Sequence, residues 1–215
     1  MLSFTVLYTG VIVPASVSIP IGMGVYRYKY TSPPLRTILF YLAVAGITNA
    51  IAAFYAFRHR NNLPLLHIYT IAELLLLVRF YQQTMTSQAI RQWARLTLLL
   101  FPVVCIVNFI FFQSIYSFNS YTRPLESIIL LIFSILYLSQ ATDNERASGR
   151  GIAPETWIVI GILLYFASTL FQFIFANIVS HHASYGTKLL IWDIHASLVL
   201  IMYLLFAVGF FRCKN

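Results

Sequence analysis

Three stretches of this chain set ionisable side chains into apolar sequence. The first is Leu65-Leu66-His67-Ile68-Tyr69-Thr70-Ile71-Ala72-Glu73-Leu74-Leu75-Leu76-Leu77-Val78, where a histidine, a phenol and a carboxylate interrupt a run otherwise suited to hydrocarbon. An ionisable group inside a bilayer costs roughly 2.5–3.5 kcal/mol on insertion scales, so it is expected to have a partner or to line a cavity. At ~100° per residue, Glu73 falls between Tyr69 and Thr70 on one helical face, with His67 at its border. Tyr69 and Glu73 are spaced i, i+4, so the phenol can hydrogen-bond the carboxylate. The second stretch begins with Glu126, with Ser134 and Tyr137 continuing roughly the same stripe. In the third, His195 shares a face with Lys188 and Trp192, whereas Asp193 points nearly the opposite way and lies near Ser197. The expected ligand-binding set is Glu73, Tyr69 and His195 at the centre, with His67, Glu126 and Asp193 around them.

These residue types allow several chemistries. His67 and His195 with carboxylates from Glu73, Glu126 or Asp193 are ligand types of a catalytic zinc, which needs three protein ligands and an open position. No His-x-x-x-His or Cys-x-x-Cys spacing supports a metal, and the expected site holds none. Glu73 with Glu126 could instead act as acid and base or relay protons. Polar residues in membrane bundles also serve simply as interhelical hydrogen bonds, the plainer reading for Asn49, Asn108 and Gln172. Snorkelling or pairing with Arg123 would suffice for Glu126, and pairing with Lys188 or an outer-loop histidine would suffice for Asp193. The His181-His182 pair reads as a wetted loop.

The elements that position these groups are membrane helices. Of 215 residues, 60% are hydrophobic and 9% charged, far below the roughly 25% charged of average composition, and the mean hydropathy is +0.79. The net charge of +8 does not indicate nucleic acid, because the basic residues sit at helix ends rather than in a patch. Cys105 lies in an apolar run and Cys213 in the C-terminal tail, so a disulfide is not expected; lipidation of Cys213 is a minor alternative. The N-terminus lacks the basic region and cleavage site of a secretory signal, so the first apolar run is expected to be retained.

A spanning helix needs ~20 apolar residues, and the chain holds about seven such runs. They are expected near Phe4–Tyr26, Leu35–Phe57, Leu63–Tyr81, Trp93–Phe112, Pro124–Ser139 (extending to about Gln140), Thr156–Asn177 and Leu189–Phe211. The longest connection expected is Ala141–Glu155, and the gap after the sixth run contains Ser180 to Gly186. Pro14 and Pro20 are expected to bend the first run and Pro102 the fourth.

With the N-terminus outside, the cytoplasmic side holds Arg27, Lys29, Arg36, Arg79, Arg91, Arg95, Arg146, Arg150, Arg212 and Lys214. The outer side then holds only Arg58, Arg60, Arg123 and Lys188, an asymmetry that favours N-out, C-in. In that orientation His67, Glu126, Asp193 and His195 fall in the outer half of the bilayer and Glu73 near its middle. Asn49, Asn108 and Gln172 fall on the outer side too, which points to one shared cavity. A shift of about 124 residues aligns Leu39, Tyr41, Ala43 and Ala52 with Leu163, Tyr165, Ala167 and Ala176, and Leu65, Leu66, Ala72 and Leu74 with Leu189, Leu190, Ala196 and Leu198. This pattern fits a three-plus-one-plus-three repeat, although Leu and Ala dominate the identities.

Several familiar functions find no support. The last span has no deep lysine for a retinal Schiff base, and neither a Gly-x-Ser-x-Gly elbow nor a Gly-rich phosphate loop is present, so no cofactor is implied. Ala141–Glu155 is too short for a kinase, cyclase or transfer domain. The segments Asn62-Leu63-Pro64-Leu65-Leu66-His67-Ile68-Tyr69-Thr70-Ile71-Ala72-Glu73 and Ile194-His195-Ala196-Ser197-Leu198, with the apolar run to Phe211, resemble small seven-span membrane proteins of Bacteroidota-type bacteria. The resemblance implies a bacterial inner-membrane location and a link to sensory signalling, and it carries over no catalytic residue. The expected protein is all-α: a single seven-transmembrane helix bundle, multi-pass, N-out and C-in. The expected function is a receptor-like sensor that binds a small or lipidic ligand in the outer polar pocket and signals to a separate cytoplasmic protein. An intramembrane lipid hydrolase using metal or carboxylate chemistry and a small-solute transporter are the alternatives. The lipid bilayer is its expected environment, and no nucleic-acid partner is expected.

Overall fold

The computed structural model describes residues 4–148, 151–182 and 185–213. Within them helix is the only regular secondary structure, and seven successive helical segments, α1 to α7, organise it. The first, α1, runs over 4–26 in pieces: Phe4–Leu7, a π turn Tyr8–Ile12, Val13–Ala15 and Ser18–Tyr26. The prolines cause the breaks. Pro14 has no N–H and its ring crowds the carbonyl four residues back, so a wider turn precedes it, closed by the Val13 N–H on the Tyr8 carbonyl. Pro20 cannot donate to Ser16, and the Ile19 N–H takes that carbonyl instead at 3.0 Å, just past the turn at Ser16 and Val17. The expected bend in the first span is therefore a local break. Pro102, by contrast, lies inside an uninterrupted helix.

The remaining helices are α2 (Pro33–Phe57), α3 (Leu63–Thr84), α4 (Gln88–Phe111), α5 (Thr122–Ser148), α6 (Pro154–His182) and α7 (Tyr185–Phe211). Among the described residues six stretches are long and apolar enough to cross a membrane: Tyr8–Tyr26, Pro33–Phe57, Leu63–Thr84, Gln88–Phe111, Thr122–Thr142 and Leu189–Phe211. In α6 the apolar stretch among the described residues is Pro154–Leu170. The chain is a multi-pass membrane protein.

Several boundaries differ from the sequence expectation, and α4 begins at Gln88 rather than near Trp93. Residues 141–148, expected in a loop, continue α5; the polar run there contains no Gly or Pro before Gly149, so nothing stops the helix where the apolar run stops. For the same reason α6 does not end near Asn177 but carries on through His181 and His182, which are helical rather than looped. Helix α7 begins at Tyr185, before the first apolar residue that marked it in the sequence. The side chains of His181, His182 and Lys188 lie outside the described residues.

The helices pack in matched pairs. α2 packs on α3 as α6 packs on α7, α1 on α2 as α5 on α6, and α3 on α5 as α7 on α1. α4 packs chiefly on α3 and leaves Leu99, Val103, Ile106 and Ile110 exposed, as a lipid-facing helix does. The α6–α7 contact is close because of two glycines. A Cβ on Gly161 would stand 2.9 Å from the Phe206 ring, and one on Gly209 would stand 2.9 Å from the Pro154 carbonyl oxygen. The apolar core, including Leu42, Leu74, Leu77, Ile162, Phe206 and Phe210, fills the bundle toward the end that carries the α1–α2 and α3–α4 connections. At that end Arg36 lies over the Tyr28 ring and Arg212 over Trp157, the amphipathic placement expected at a lipid–water boundary. Toward the opposite end the described residues border a cavity.

Candidate functional site: a polar cavity floored by a buried ion cluster

The cluster starts from the N-terminus of α5. Asn119 caps it: its Oδ1 accepts the Thr122 N–H at 3.2 Å, the Thr122 hydroxyl at 2.7 Å and the Arg123 N–H at 3.3 Å. Its Nδ2 donates to Thr70 Oγ1 at 3.3 Å, which ties the start of α5 to α3. Arg123 thus sits in the first turn of a helix, where the positive end of the macrodipole disfavours a cation. Two carboxylates offset this. Arg123 Nη1 donates to Glu73 Oε2 on α3 and, at 2.6 Å, to Glu126 Oε2 one turn along α5. Nη2 donates to the Tyr165 hydroxyl of α6 at 2.6 Å, and the guanidinium lies over the Tyr165 and Phe166 rings. The other oxygen of Glu73, Oε1, accepts from the Tyr41 hydroxyl of α2 at 2.7 Å and the Tyr69 hydroxyl at 3.0 Å. Both carboxylates are fully buried. One ion cluster therefore joins α2, α3, α5 and α6.

Above this floor is a cavity of about 350 Å³. Glu73, Arg123, Tyr41 and Tyr165 border it from below, and His67, Tyr69 and Thr70 form its α3 wall. The α7 side supplies Trp192, His195 and Tyr203, the α1 side Thr9, Val13 and Pro14, and the α4–α5 connection Phe118 and Asn119. Asn49 of α2 and Gln172 of α6 complete it. His67 Nε2 donates to the Ser117 carbonyl at 2.9 Å, and its ring meets Phe109 edge-on. His195 Nδ1 is 3.3 Å from Ser168 Oγ, with Tyr165 and Trp192 beside its ring.

Four of the six residues singled out in the sequence, His67, Tyr69, Glu73 and His195, line this one cavity. Glu126 joins the cluster beneath but not the lining, and Asp193 faces α1 instead, where Thr5 Oγ1 donates to its Oδ2 at 3.4 Å. Asn108 is buried away from the cavity. Among the described residues no three of His, Cys, Asp and Glu come together as a metal-ligand set, so the zinc alternative has no converging donors. Sequence reasoning offered the Arg123–Glu126 pairing, which the structure contains, but missed that Arg123 also pairs with Glu73 and is the central cation, because its position at the edge of an apolar run reads as a loop charge. It also missed Tyr41 and Tyr165. A signal for both was present: they are equivalent under the 124-residue shift, and each hydrogen-bonds one side of the same ion pair.

No protein-family model matches this chain, and no curated protein or solved structure is significantly similar to it.

Proposed function

We propose that this protein is a receptor-like sensor of the membrane that binds a small or lipidic molecule in the polar cavity and passes a conformational change to a separate cytoplasmic protein. The observation that carries the reading is the cavity itself. Its volume of about 350 Å³ lies within the roughly 300–1,000 Å³ of small-molecule sites. Its floor is a hub in which one carboxylate and one guanidinium hold four helices. An occupant that favours one arrangement of Glu73, Tyr69 and Arg123 over another biases the packing of α2, α3, α5 and α6 together, which is how differential affinity becomes a conformational signal. Seven spans and an N-out, C-in orientation belong to the same reading. With Arg123 withdrawn into the cluster, Arg58, Arg60 and Lys188 are the lysines and arginines left at the cavity end by sequence position, a charge asymmetry that supports an outward-facing cavity. Placement in a bacterial inner membrane rests on the resemblance given above.

A second reading, small-solute transport, is favoured by one observation. Each packing pair among α1, α2 and α3 has its counterpart among α5, α6 and α7, with α4 outside the scheme, as in a three-plus-one-plus-three repeat transporter. The cavity lies where the two halves meet.

Native mass spectrometry of the gently solubilised full chain tests the leading reading, beside Tyr69→Phe and His195→Ala. A bound organic mass that is lost or weakened in the variants is expected. A bare wild-type mass, with both variants indistinguishable from it, would overturn ligand binding and reduce these residues to helix-packing contacts. Uptake of a solute into proteoliposomes by the wild type would move the assignment to the transporter.

A further inference from the structure

The polar atoms around the cavity are unevenly used. The donors of its walls are largely given to protein acceptors. Tyr41 and Tyr69 donate to Glu73, the Thr70 hydroxyl to the Leu66 carbonyl, Asn119 Nδ2 to Thr70, and His67 Nε2 to the Ser117 carbonyl. Two acceptors are left over. Because a carbonyl oxygen can only accept, the 2.9 Å contact to Ser117 places the proton of the neutral His67 ring on Nε2 and leaves Nδ1 a bare acceptor. His67 Nδ1 has no partner, although the residue is 1% exposed and lines the cavity. Gln172 Oε1, on the α6 side of the same cavity, is also buried without a partner. Buried acceptors left unpaired are costly, so an occupant that donates to them is favoured.

The charge balance selects the kind of donor. The floor holds two carboxyl groups, Glu73 and Glu126, against one guanidinium. Glu126 Oε1 in that cluster has no hydrogen-bond partner. The walls add aromatic surfaces from Tyr41, Tyr69, Phe118, Tyr165, Trp192 and Tyr203, whose faces attract cations. Unused acceptors, a floor with more carboxyl groups than cations and an aromatic lining all favour one ligand chemistry. A neutral polyol would meet the first condition alone, and an anion would meet none.

We infer that the cavity recognises a primary ammonium group, carried either by a free small amine or by the headgroup of an aminophospholipid. This rests on the cavity being a ligand site, as proposed above. His67 Nδ1 and Gln172 Oε1 accept hydrogen bonds from the ammonium, with the Glu73 carboxylate at the floor beneath it.

The test uses the full chain in nanodiscs of phosphatidylcholine alone, which lacks a primary amine. Calorimetric titration compares phenethylammonium with its neutral isostere 2-phenylethanol and with phenylacetate. The ammonium is expected to bind at least about tenfold more tightly than the alcohol, with the carboxylate weakest. His67→Phe and Gln172→Leu, which remove the free acceptors without touching the ion cluster, are expected to abolish the preference. In a second arm, discs containing phosphatidylethanolamine distinguish the sources. Retention of that lipid through native mass spectrometry, and its competition with phenethylammonium, would assign the headgroup; its absence, with the amine still bound, would assign a free amine. Equal or tighter binding of the alcohol or the carboxylate would overturn the ammonium assignment while leaving the cavity a ligand site. Failure of all three compounds and of the aminophospholipid to bind would also overturn it. The native mass of the untreated protein, which reads any occupant, then decides separately whether the cavity binds anything.

Discussion

Arg123 is the residue on which the buried cluster depends, and replacing it by methionine measures what the cluster is. Two accounts predict different magnitudes. If Arg123 is interhelical glue, its three hydrogen bonds, to Glu73, Glu126 and Tyr165, set the loss. At about 0.6 kcal/mol each, the mean for such bonds inside a membrane, that is about 2 kcal/mol. If it neutralises two fully buried carboxylates, its removal leaves uncompensated charge, and breaking buried pairs of this kind costs about 3–5 kcal/mol. The structure supports the larger figure, since Glu73 and Glu126 have no other cation in the salt-bridge network described. That loss is roughly two to nearly four decades in the folding equilibrium constant. The decisive partner is the triple variant Arg123→Met, Glu73→Gln, Glu126→Gln, which removes the charges together and is expected to recover at least half of the loss. Unfolding of the purified full chain by denaturing detergent, followed by tryptophan fluorescence, reads both. A single variant within about 2 kcal/mol of wild type, or a triple variant no more stable than the single, would refute charge compensation.

Four further outcomes are expected. Asn119→Ala removes the α5 cap and its link to Thr70, so it should cost about 1–2 kcal/mol in the same unfolding assay; a change below a few tenths would show that the cap is not needed to seat Arg123. Gly209→Ala should destabilise by about 1–3 kcal/mol, because its Cβ would meet the Pro154 carbonyl and the Ile158 side chain at 2.9 Å. Gly22→Ala, with nothing within 4 Å of the added carbon, should instead stabilise by about 0.5–1 kcal/mol, and like signs at the two positions would contradict the packing described. The Cys213 thiol, just past the end of α7, is raised above the usual thiol range by burial, with the Glu155 carboxylate adding to the effect and Arg27 opposing it. A raised value means less thiolate at any given pH, so in a Cys105→Ser background maleimide should label Cys213 more slowly than an exposed control cysteine at pH 8, with the lag closing as pH rises. Labelling at the control rate would show that the tail is not docked.

Composition determined much of this protein without any tertiary information. Apolar runs of bilayer length separated by short polar joints read as a helical membrane bundle, because no other element but a closed barrel satisfies its backbone within lipid. Part of the polar site was legible as well: His67, Tyr69, Glu73 and His195, singled out in the sequence, line one cavity, and the i, i+4 pairing of Tyr69 with Glu73 follows from helical geometry alone. Helix ends were less legible where polar sequence continues without a breaker, as beyond Gln140 and Asn177, because hydropathy marks where lipid ends and not where the helix does. Which face of each helix meets which neighbour is set by packing across the bundle, and no local pattern encodes it. Only that packing carried Arg123 inward from the edge of its span, brought Tyr41 and Tyr165 to opposite sides of one ion pair, and turned Asp193 away to α1. It also left two buried acceptors without partners on residues that line a cavity, a fact about the space between helices rather than about any one of them.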